Sequence, residues 1–330
     1  MHRSTAISLT TFLGLIGTVI PAAAAGPPVT VSYSTFDYPG ALSTTIYGIN
    51  LYQDFDRQYA SFVGTYTDSA GSHGFLSTAG NLTPINVPNA YNTFANGINN
   101  NGEIVGTYAT EGSGSLGPGT YTFLLSQGTF TTIEPCSDAL GFGVNDNGTV
   151  VGNVLSDGSG EQVEGFVASP SAGCAGFPGP SKAILSQVSA INNAGTFVGD
   201  YQTAKCSNGN CWTIYHGMIN GVKHYNVPGA TDTQLYGIND SGYIVGWYDG
   251  EYGSQYVATG FLREHGTIIN IFVPGSAATI AYGIDNENEL GQYNVVGGWT
   301  DYDGKQHGFI AQITHDSNET SSKRRNAFKR

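Results

Sequence analysis

The chain has 330 residues, a net charge of −13, 47 glycines and 20 tyrosines, and only 11% of its residues are charged. Half of its basic residues lie near the termini, which leaves an acidic body. Binding to a phosphate backbone needs clustered Lys and Arg, so nucleic acid is excluded as a partner. Glycine-rich turns between short aromatic and β-branched runs predict many strands and few helices.

The first 25 residues predict a secretory signal peptide. His2 and Arg3 give a basic start, Ala6–Ile20 is mostly apolar, and Ala22–Ala25 offers an A-x-A cleavage site. The alternative is an uncleaved anchor, but the apolar run is shorter than the roughly 20 residues that span a bilayer. We therefore expect a secreted protein, extracellular or else periplasmic or on the cell surface, without a transmembrane segment after cleavage.

Six copies of one pattern follow along the chain. Each has a β-type run that ends in a Gly-Ile-Asn word or a variant of it, then a polar turn, then a second β-type run. Two such runs joined by a turn predict a β-hairpin. The copies recur every 46 to 49 residues with four strand-like runs per period, which predicts a β-propeller blade. They lie at Tyr47–Tyr66, Ala95–Tyr108, Phe142–Gly152, Ser189–Tyr201, Tyr236–Tyr248 and Tyr282–Trp299.

The two ends of the repeat array are out of phase. The array opens with Tyr33–Ala41, a fourth run alone, and closes with His307–Gln312, a third run without its fourth. A ring in which the N-terminal strand completes the last blade has no free sheet edge. The sequence therefore predicts an all-β, six-bladed propeller with four-stranded blades, as a single domain over residues 26–313. Residues 314–330 are expected to be a disordered basic tail, with contact to an anionic surface as the alternative.

Two further words recur in fixed order after the hairpin. They are His-Gly-Phe-Leu, as at His73–Leu76, and Val-Pro-Gly-Ala, as at Val227–Ala230. Together with GINxxGxIVGxY, these words resemble the HAF repeat family of probable extracellular bacterial proteins, over about Val31–Gln312. The resemblance implies export and a propeller-like repeat fold, and it implies no catalytic residue. The chain departs from the family in carrying His-Gly-Phe where the family's word is His-Ala-Phe.

Four cysteines in an exported chain predict disulfides. Cys206 and Cys211 flank an Asn-Gly turn, so we expect a bridge across a hairpin tip, and Cys136 with Cys174 is then the second pair by elimination. The alternative is a zinc site, for which this spacing of cysteines is poor.

One face of the predicted ring, which we call the loop face, carries the loops between the second and third strands of each blade. These loops vary in length and content, and such variation on a regular scaffold is typical of a binding surface. Aromatic rings stack on sugars and carboxylates accept hydroxyl hydrogen bonds, so residues there predict a glycan-binding surface. The alternative is that the aromatic residues pack between blades. The candidates are Tyr66, Asp68, Tyr201, Trp247, Tyr248, Asp249, Trp299 and Asp301, with Tyr302 beside them.

Metal ligands are considered at two places. The acidic insertion that contains Asp285, Glu287 and Glu289 is the calcium candidate, whereas the polar turns of the other units are explained by hairpin geometry. A histidine recurs at one repeat position, but other units carry different residues there. We therefore expect a structural hydrogen bond from each imidazole to a neighbouring strand rather than a ring of metal ligands. The three are His73, His216 and His307.

These features predict a secreted binding or scaffolding module, monomeric and without a cofactor, for a carbohydrate or cell-surface polymer. Its partner would be an extracellular glycan or a surface protein. One alternative is a glycan-cleaving propeller enzyme, a hydrolase or lyase, that uses carboxylates on the loop face. The other is a structural surface protein without a small ligand. The sequence contains no sialidase repeat word, G-x-S-x-G, H-E-x-x-H or phosphate-binding loop, so no catalytic residue is predicted.

Overall fold

The computed structural model describes residues 29–54, 57–111, 119–133, 139–156, 162–170, 173–177, 179–207, 209–252 and 255–315. The predicted signal peptide, residues 316–330 of the predicted tail, and Cys136 lie outside these ranges. The described residues form 24 strands. No helix in this part of the chain is long and apolar enough to cross a membrane.

The strands are numbered in chain order. The first is β1 (Val29–Phe36), and the next eight are β2 (Ser43–Asp54), β3 (Arg57–Asp68), β4 (Gly71–Thr78), β5 (Asn81–Ile85), β6 (Asn92–Ile98), β7 (Ile104–Thr110), β8 (Gly119–Ser126) and β9 (Thr129–Ile133). Then come β10 (Ala139–Val144), β11 (Val150–Ser156), β12 (Gln162–Ser169), β13 (Gly173–Phe177), β14 (Leu185–Ile191), β15 (Phe197–Ser207), β16 (Asn210–Ile219) and β17 (Lys223–Tyr225). The last are β18 (Thr233–Ile238), β19 (Ile244–Tyr252), β20 (Gln255–Glu264), β21 (Thr267–Ile271), β22 (Ala278–Ile284), β23 (Tyr293–Thr300) and β24 (Gln306–His315).

The strands form six antiparallel four-stranded blades, and the predicted six-bladed propeller is confirmed. Five blades are plain meanders, such as β2-β3-β4-β5, whereas the sixth has the order β1-β24-β23-β22. Strand β1 pairs with β24 from Val29 opposite His315 to Phe36 opposite Gly308, so the N-terminal strand completes the last blade as predicted. The pairing closes the ring and covers the edge of β24. Strand β24 runs to His315, two residues beyond the domain boundary expected from the sequence.

Each inner strand contains a bulge opposite a glycine of the second strand. In the fifth blade the register between β18 and β19 shifts between Leu235 and Gly237. A Cβ atom on Gly246 would lie 2.0 Å from the carbonyl oxygen of Gln234, so the two backbones approach more closely than a side chain permits. The corresponding distance is between 1.9 and 2.1 Å for Gly64, Gly106, Gly152, Gly199 and Gly297.

The core lies between neighbouring blades and is built on the third strands. The aromatic position of the His-Gly-Phe word is fully buried in each blade. Phe261 of the fifth blade, for example, packs in one cluster with Val198 of the fourth blade and Leu235 of its own. Burial of each such side chain contributes roughly 1.5–3 kcal/mol. The equivalent residues are Phe75, Phe123, Phe166, Met218 and Phe309.

The recurring histidines have a structural role, as predicted. His73 and His216 each place Nδ1 3.1 Å from the side chain of an asparagine directly after the outer strand, Asn86 and Asn226 respectively. In the last blade His307 Nδ1 lies 2.9 Å from the Asp37 carboxylate, which directly follows β1. The imidazoles thus tie the third strands to the outer edges of their blades.

The disulfide between Cys206 and Cys211 is present and joins the tips of β15 and β16, as predicted. Cys174 is also disulfide-bonded, whereas its predicted partner Cys136 lies outside the described residues.

Candidate functional site

The six inner strands surround a central channel that widens towards the loop face. At this end it forms a cavity of about 420 Å³, lined mainly by the inner strands. Two smaller cavities, of about 90 Å³ and about 60 Å³, follow along the channel towards its other end. The lining residues of the wide end are Tyr47, Phe94, Asn96, Thr107, Thr120, Leu140, Phe142, Asn153, Gln187, Ser189, Tyr236 and Tyr282.

The wall of this cavity is aromatic on one side. The ring of Tyr282 lies 5.1 Å from that of Tyr47 and 5.0 Å from that of Tyr236, in tilted and edge-on contacts. Burial is the main cause that raises the pKa of all three hydroxyls above the usual value. All three hydroxyls therefore stay protonated and neutral at pH 7.

The remaining polar groups of the cavity are neutral, and two of its amides are held in place by hydrogen bonds. The Asn96 amide donates to the Gly141 carbonyl over 2.9 Å, and Asn153 Oδ1 accepts from the backbone N–H of Val188 over 3.1 Å. Behind the aromatic wall, Trp247 Nε1 and Tyr236 Oη both donate to Gln234 Oε1, over 2.7 and 3.0 Å. Among the described residues, no charged side chain lines the cavity. Aromatic faces beside fixed amides and hydroxyls suit a neutral, hydroxyl-rich ligand.

A buried carboxylate lies beside this site. Asp200 on β15 is 0% exposed, and neither carboxylate oxygen has a hydrogen-bond partner of ordinary geometry. Burial raises the pKa of Asp200 to about 7, and its charge contributes to the raised pKa of Tyr236, which places the two side chains near each other. Sequence reasoning missed Asp200. The signal was present, because the residue after Val-Gly in the other blades is uncharged, as with Thr107 and Asn153.

The opposite end of the channel, on the turn face that carries the first-to-second-strand turns, is closed by amide side chains. The Gly-Ile-Asn asparagine of each of the first five blades donates from Nδ2 to the same residue's carbonyl in the next blade, over 2.5 to 3.1 Å. In four of them Oδ1 also accepts the backbone N–H groups of its own turn, as predicted. The donors are Asn50, Asn99, Asn145, Asn192 and Asn239, and Asp285 is the last acceptor.

A second ring of side chains lies beside the first and alternates amides with carboxylates. Asp146 Oδ2 accepts from Nδ2 of Asn100 and Asn193, and Asp240 Oδ2 accepts from Nδ2 of Asn193 and Asn286, all over 2.7 to 2.9 Å. These carboxylates are occupied by hydrogen bonds between blades. The turn-face end of the channel is therefore a structural contact between blades, and the wide cavity is the candidate ligand site.

Replacing Asn192 with alanine is expected to destabilise the protein by about 3 kcal/mol. The change removes the 3.0 Å bond to Asn239 O and the 2.9 Å bond from Thr196 N, and leaves both backbone groups without these partners at a buried position. Urea unfolding measures the loss. Asn147→Ala is the control, because this exposed side chain makes one long bond between blades, and its change should stay within about 0.5 kcal/mol. Equal effects of the two substitutions would contradict the assigned role.

The predicted aromatic candidates mostly contact residues of their own blade or the segment before it. Tyr66 stacks on Tyr38 with ring centroids 3.7 Å apart, and Trp299 stacks on His307 at 4.5 Å. Tyr201 is buried and its hydroxyl lies 2.8 Å from His224 Nδ1. These contacts match the packing alternative. Trp247 differs, since its indole joins the hydrogen bonds behind the cavity wall.

The other candidates lie at the surface. Tyr248 donates to Asn270 Oδ1 over 3.0 Å, and Tyr302 is 80% exposed. The carboxylates bind backbone N–H groups: Asp68 that of Ala70, Asp301 those of Asp303 and Lys305, and Asp249 those of Thr231 and Asp232. For Asp68 and Asp301 these backbone hydrogen bonds are the main cause of a lowered pKa. The contacts of these candidates are with their own turns and neighbouring strands, away from the cavity lining.

The three calcium candidates are not gathered around one point. Asp285 is buried, accepts from the backbone and side-chain nitrogens of Asn294, and has its pKa raised to about 7 by burial. Glu287 accepts from the Tyr243 hydroxyl over 3.1 Å, and Glu289 is exposed. Within the described ranges, Glu287 has its carboxylate grouped with Glu264 and His315 instead.

No family model matches the chain, and no curated protein sequence matches it, so the resemblance to HAF repeat proteins stays a prediction. Solved structures do match. A glycoside hydrolase is 10% identical, with 83% of this chain and 88% of that chain covered and a TM-score of 0.40. Trypanosoma rangeli sialidase is 9% identical, with 87% of this chain but only 60% of the sialidase covered and a TM-score of 0.46. Similarity at this level carries no information about activity.

Proposed function

We propose that this protein is an exported propeller that binds a carbohydrate in the central cavity of the loop face. The observation that carries the proposal is the wall formed by Tyr47, Tyr236 and Tyr282, which faces fixed neutral amides. Sugar rings offer apolar C–H faces to aromatic side chains and hydroxyls to amides. A volume of about 420 Å³ lies within the range of small-ligand cavities, and it suits one or two sugar units of a longer polymer.

Tyr282→Ala is expected to weaken glycan binding by about two- to tenfold, because each aromatic contact of this kind contributes roughly 0.5–1.5 kcal/mol. A glycan array finds the ligand, and isothermal titration measures its affinity for the variant. Tyr302→Ala is the matched control, since this exposed tyrosine lies on the same face outside the cavity lining, and its binding should not change. Equal losses in both variants, or no glycan bound at all, would refute the proposal.

Glycan cleavage is the second candidate function, and Asp200 is the observation that favours it. Its carboxyl, whose pKa burial raises to about 7, is able to hold or release a proton at neutral pH. Asp200 does not line the cavity, so this proton would have to pass to a ligand through the neighbouring Tyr236. New reducing ends that appear with the wild type and disappear with Asp200→Asn would establish cleavage. Binding without new reducing ends would establish a binding module instead.

Export is part of the proposal and rests on the bonded pair Cys206 and Cys211, because disulfides persist in oxidising compartments. Expression with the native leader followed by mass spectrometry of the N-terminus tests it. A mature chain that begins at Gly26 in the medium or periplasm is expected. A full-length chain retained in the cytoplasm would contradict export.

A further inference from the structure

A cluster of titratable side chains lies between the last two blades on the turn face, apart from the central cavity. Glu264 ends β20, His315 ends β24, and Glu287 belongs to the loop between β22 and β23. One ligand atom from each of the three lies within 4.8 Å of the others, and His315 Nε2 is 3.0 Å from Glu264 Oε1. Glu264 is 7% exposed, so its carboxylate and this imidazole meet at a largely buried position.

A buried hydroxyl without a partner points into the same cluster. Tyr293 is 1% exposed, and its Oη makes no hydrogen bond of ordinary geometry. Its ring contacts those of Tyr243, at 5.5 Å, and His315, at 6.1 Å. The contact with the imidazole places Tyr293 against a member of the cluster. A buried hydroxyl without a well-formed hydrogen bond is uncommon in folded proteins, and a bound ion that rearranges the neighbouring carboxylates is one explanation of it.

The chemistry of the cluster suits a first-row divalent cation. Two carboxylate oxygens and one imidazole nitrogen form a mixed O,O,N set, which zinc accepts with bonds of about 2.0–2.2 Å. Calcium prefers six to eight oxygen ligands and is not served by an imidazole. Glu287 is exposed, so one side of the cluster is open to solvent and leaves room for entry of an ion and for a fourth ligand.

We propose that Glu264, Glu287 and His315 bind a zinc ion that joins the fifth blade to the sixth. With the ion bound, the Tyr293 hydroxyl would donate to the Glu264 carboxylate and hold it towards the metal, which makes Tyr293 a positioning residue. Tyr243 does the same for Glu287, because its hydroxyl donates to Glu287 Oε1 over 3.1 Å and also lies 2.9 Å from His265 Nε2. The ion would add a bond between the blade that the N-terminal strand completes and its neighbour. This site is independent of the proposed glycan cavity.

The test is titration of the tag-free full chain, stripped with chelator, with zinc chloride and separately with calcium chloride. We expect one zinc bound per chain at this site, no calcium bound there, and a rise in the midpoint of thermal unfolding with zinc. Glu287→Gln and His315→Gln should each weaken zinc binding by about 100-fold. Glu287 is exposed, so its variant keeps the fold even if substitution at the buried Glu264 does not.

His224→Gln is the control, because His224 lies beside another histidine, with its ring 5.2 Å from that of His216, and belongs to the fourth blade, away from the proposed site. Tyr293→Phe supplies a second readout: the metal-free protein should be no less stable, whereas zinc affinity should fall by about tenfold. Loss of zinc binding in His224→Gln but not in His315→Gln would overturn the proposal. So would absent zinc binding, or calcium binding that competes with zinc at equal affinity.

Discussion

Gly246→Ala is expected to prevent the protein from folding, or to destabilise it by more than about 4 kcal/mol. A Cβ atom there would lie 2.0 Å from the Gln234 carbonyl oxygen, and this oxygen belongs to the inner strand of the same blade. The clash can be relieved only if the bulge of β18 moves. This movement is restricted because β18 packs against β22 of the next blade. Such a clash within a close-packed core belongs to the class of substitutions with exceptional effects. Far-ultraviolet circular dichroism and soluble yield measure the outcome.

Gly242→Ala, four residues away in the same hairpin, is the matched control. Gly242 has φ of 76° and an added Cβ would meet no atom within 4 Å, so only the backbone conformation is unfavourable for alanine. We expect a loss of about 1 kcal/mol and a folded protein. If Gly246→Ala were equally mild, the close approach of β18 and β19 would not be a requirement of the fold.

Asp200→Asn is expected to make the protein more stable at pH 8 but not at pH 4. Burial raises the pKa of Asp200 to about 7 in the folded protein, against an ordinary value of 3.8. The folded state therefore holds a proton that the unfolded state has lost, so stability falls as pH rises through the window from about 4 to 7. This difference in pKa lowers the free energy of unfolding by about 4 kcal/mol at most as pH rises through the window. An amide in place of the carboxyl removes this loss.

Urea unfolding of the wild type and the variant at pH 4, 6 and 8 measures the difference. Asp303→Asn removes the same unit of charge at an exposed turn and controls for the net charge of −13. Because Asp285 also has a pKa raised to about 7, the variant keeps part of the pH dependence. A difference between wild type and Asp200→Asn that stays constant from pH 4 to 8 would show that Asp200 is ionised throughout this range in the folded protein.

The repeat and the ends of the array predicted the architecture because both are local properties of the chain. Turn residues and alternating strands recur at a fixed period, and the unpaired fourth run at Tyr33–Ala41 required a partner, which the pairing of β1 with β24 supplies. The roles of the Gly-Ile-Asn asparagine in its turn and of His73, His216 and His307 within their blades were also predictable. The contacts of the asparagine, His73 and His216 are made within one repeat unit. The contact of His307 with Asp37 is made within the sixth blade, which the N-terminal strand completes.

The candidate site was predicted less well, since it depends on which side chains meet when the ring closes. Tyr47, Tyr236 and Tyr282 belong to three different repeat units. They share a wall because each lies directly before the first glycine of the Gly-Ile-Asn word or its variant on an inner strand. Tyr66, Tyr201 and Trp299 have the same chemistry, yet their second-strand positions turn them towards neighbouring side chains of the blades.

The sequence by itself determined the number of blades, the four strands in each and the closure by the N-terminal strand. The period of the repeat and the incomplete units at its two ends can be recognised directly in the order of the residues. Only the tertiary structure decided the cavity, the burial of Asp200 and the meeting of Glu264, Glu287 and His315. These features arise between blades. Their distances follow from the closed ring, in which the orientation of each blade is set by packing against both neighbours rather than by its own residues.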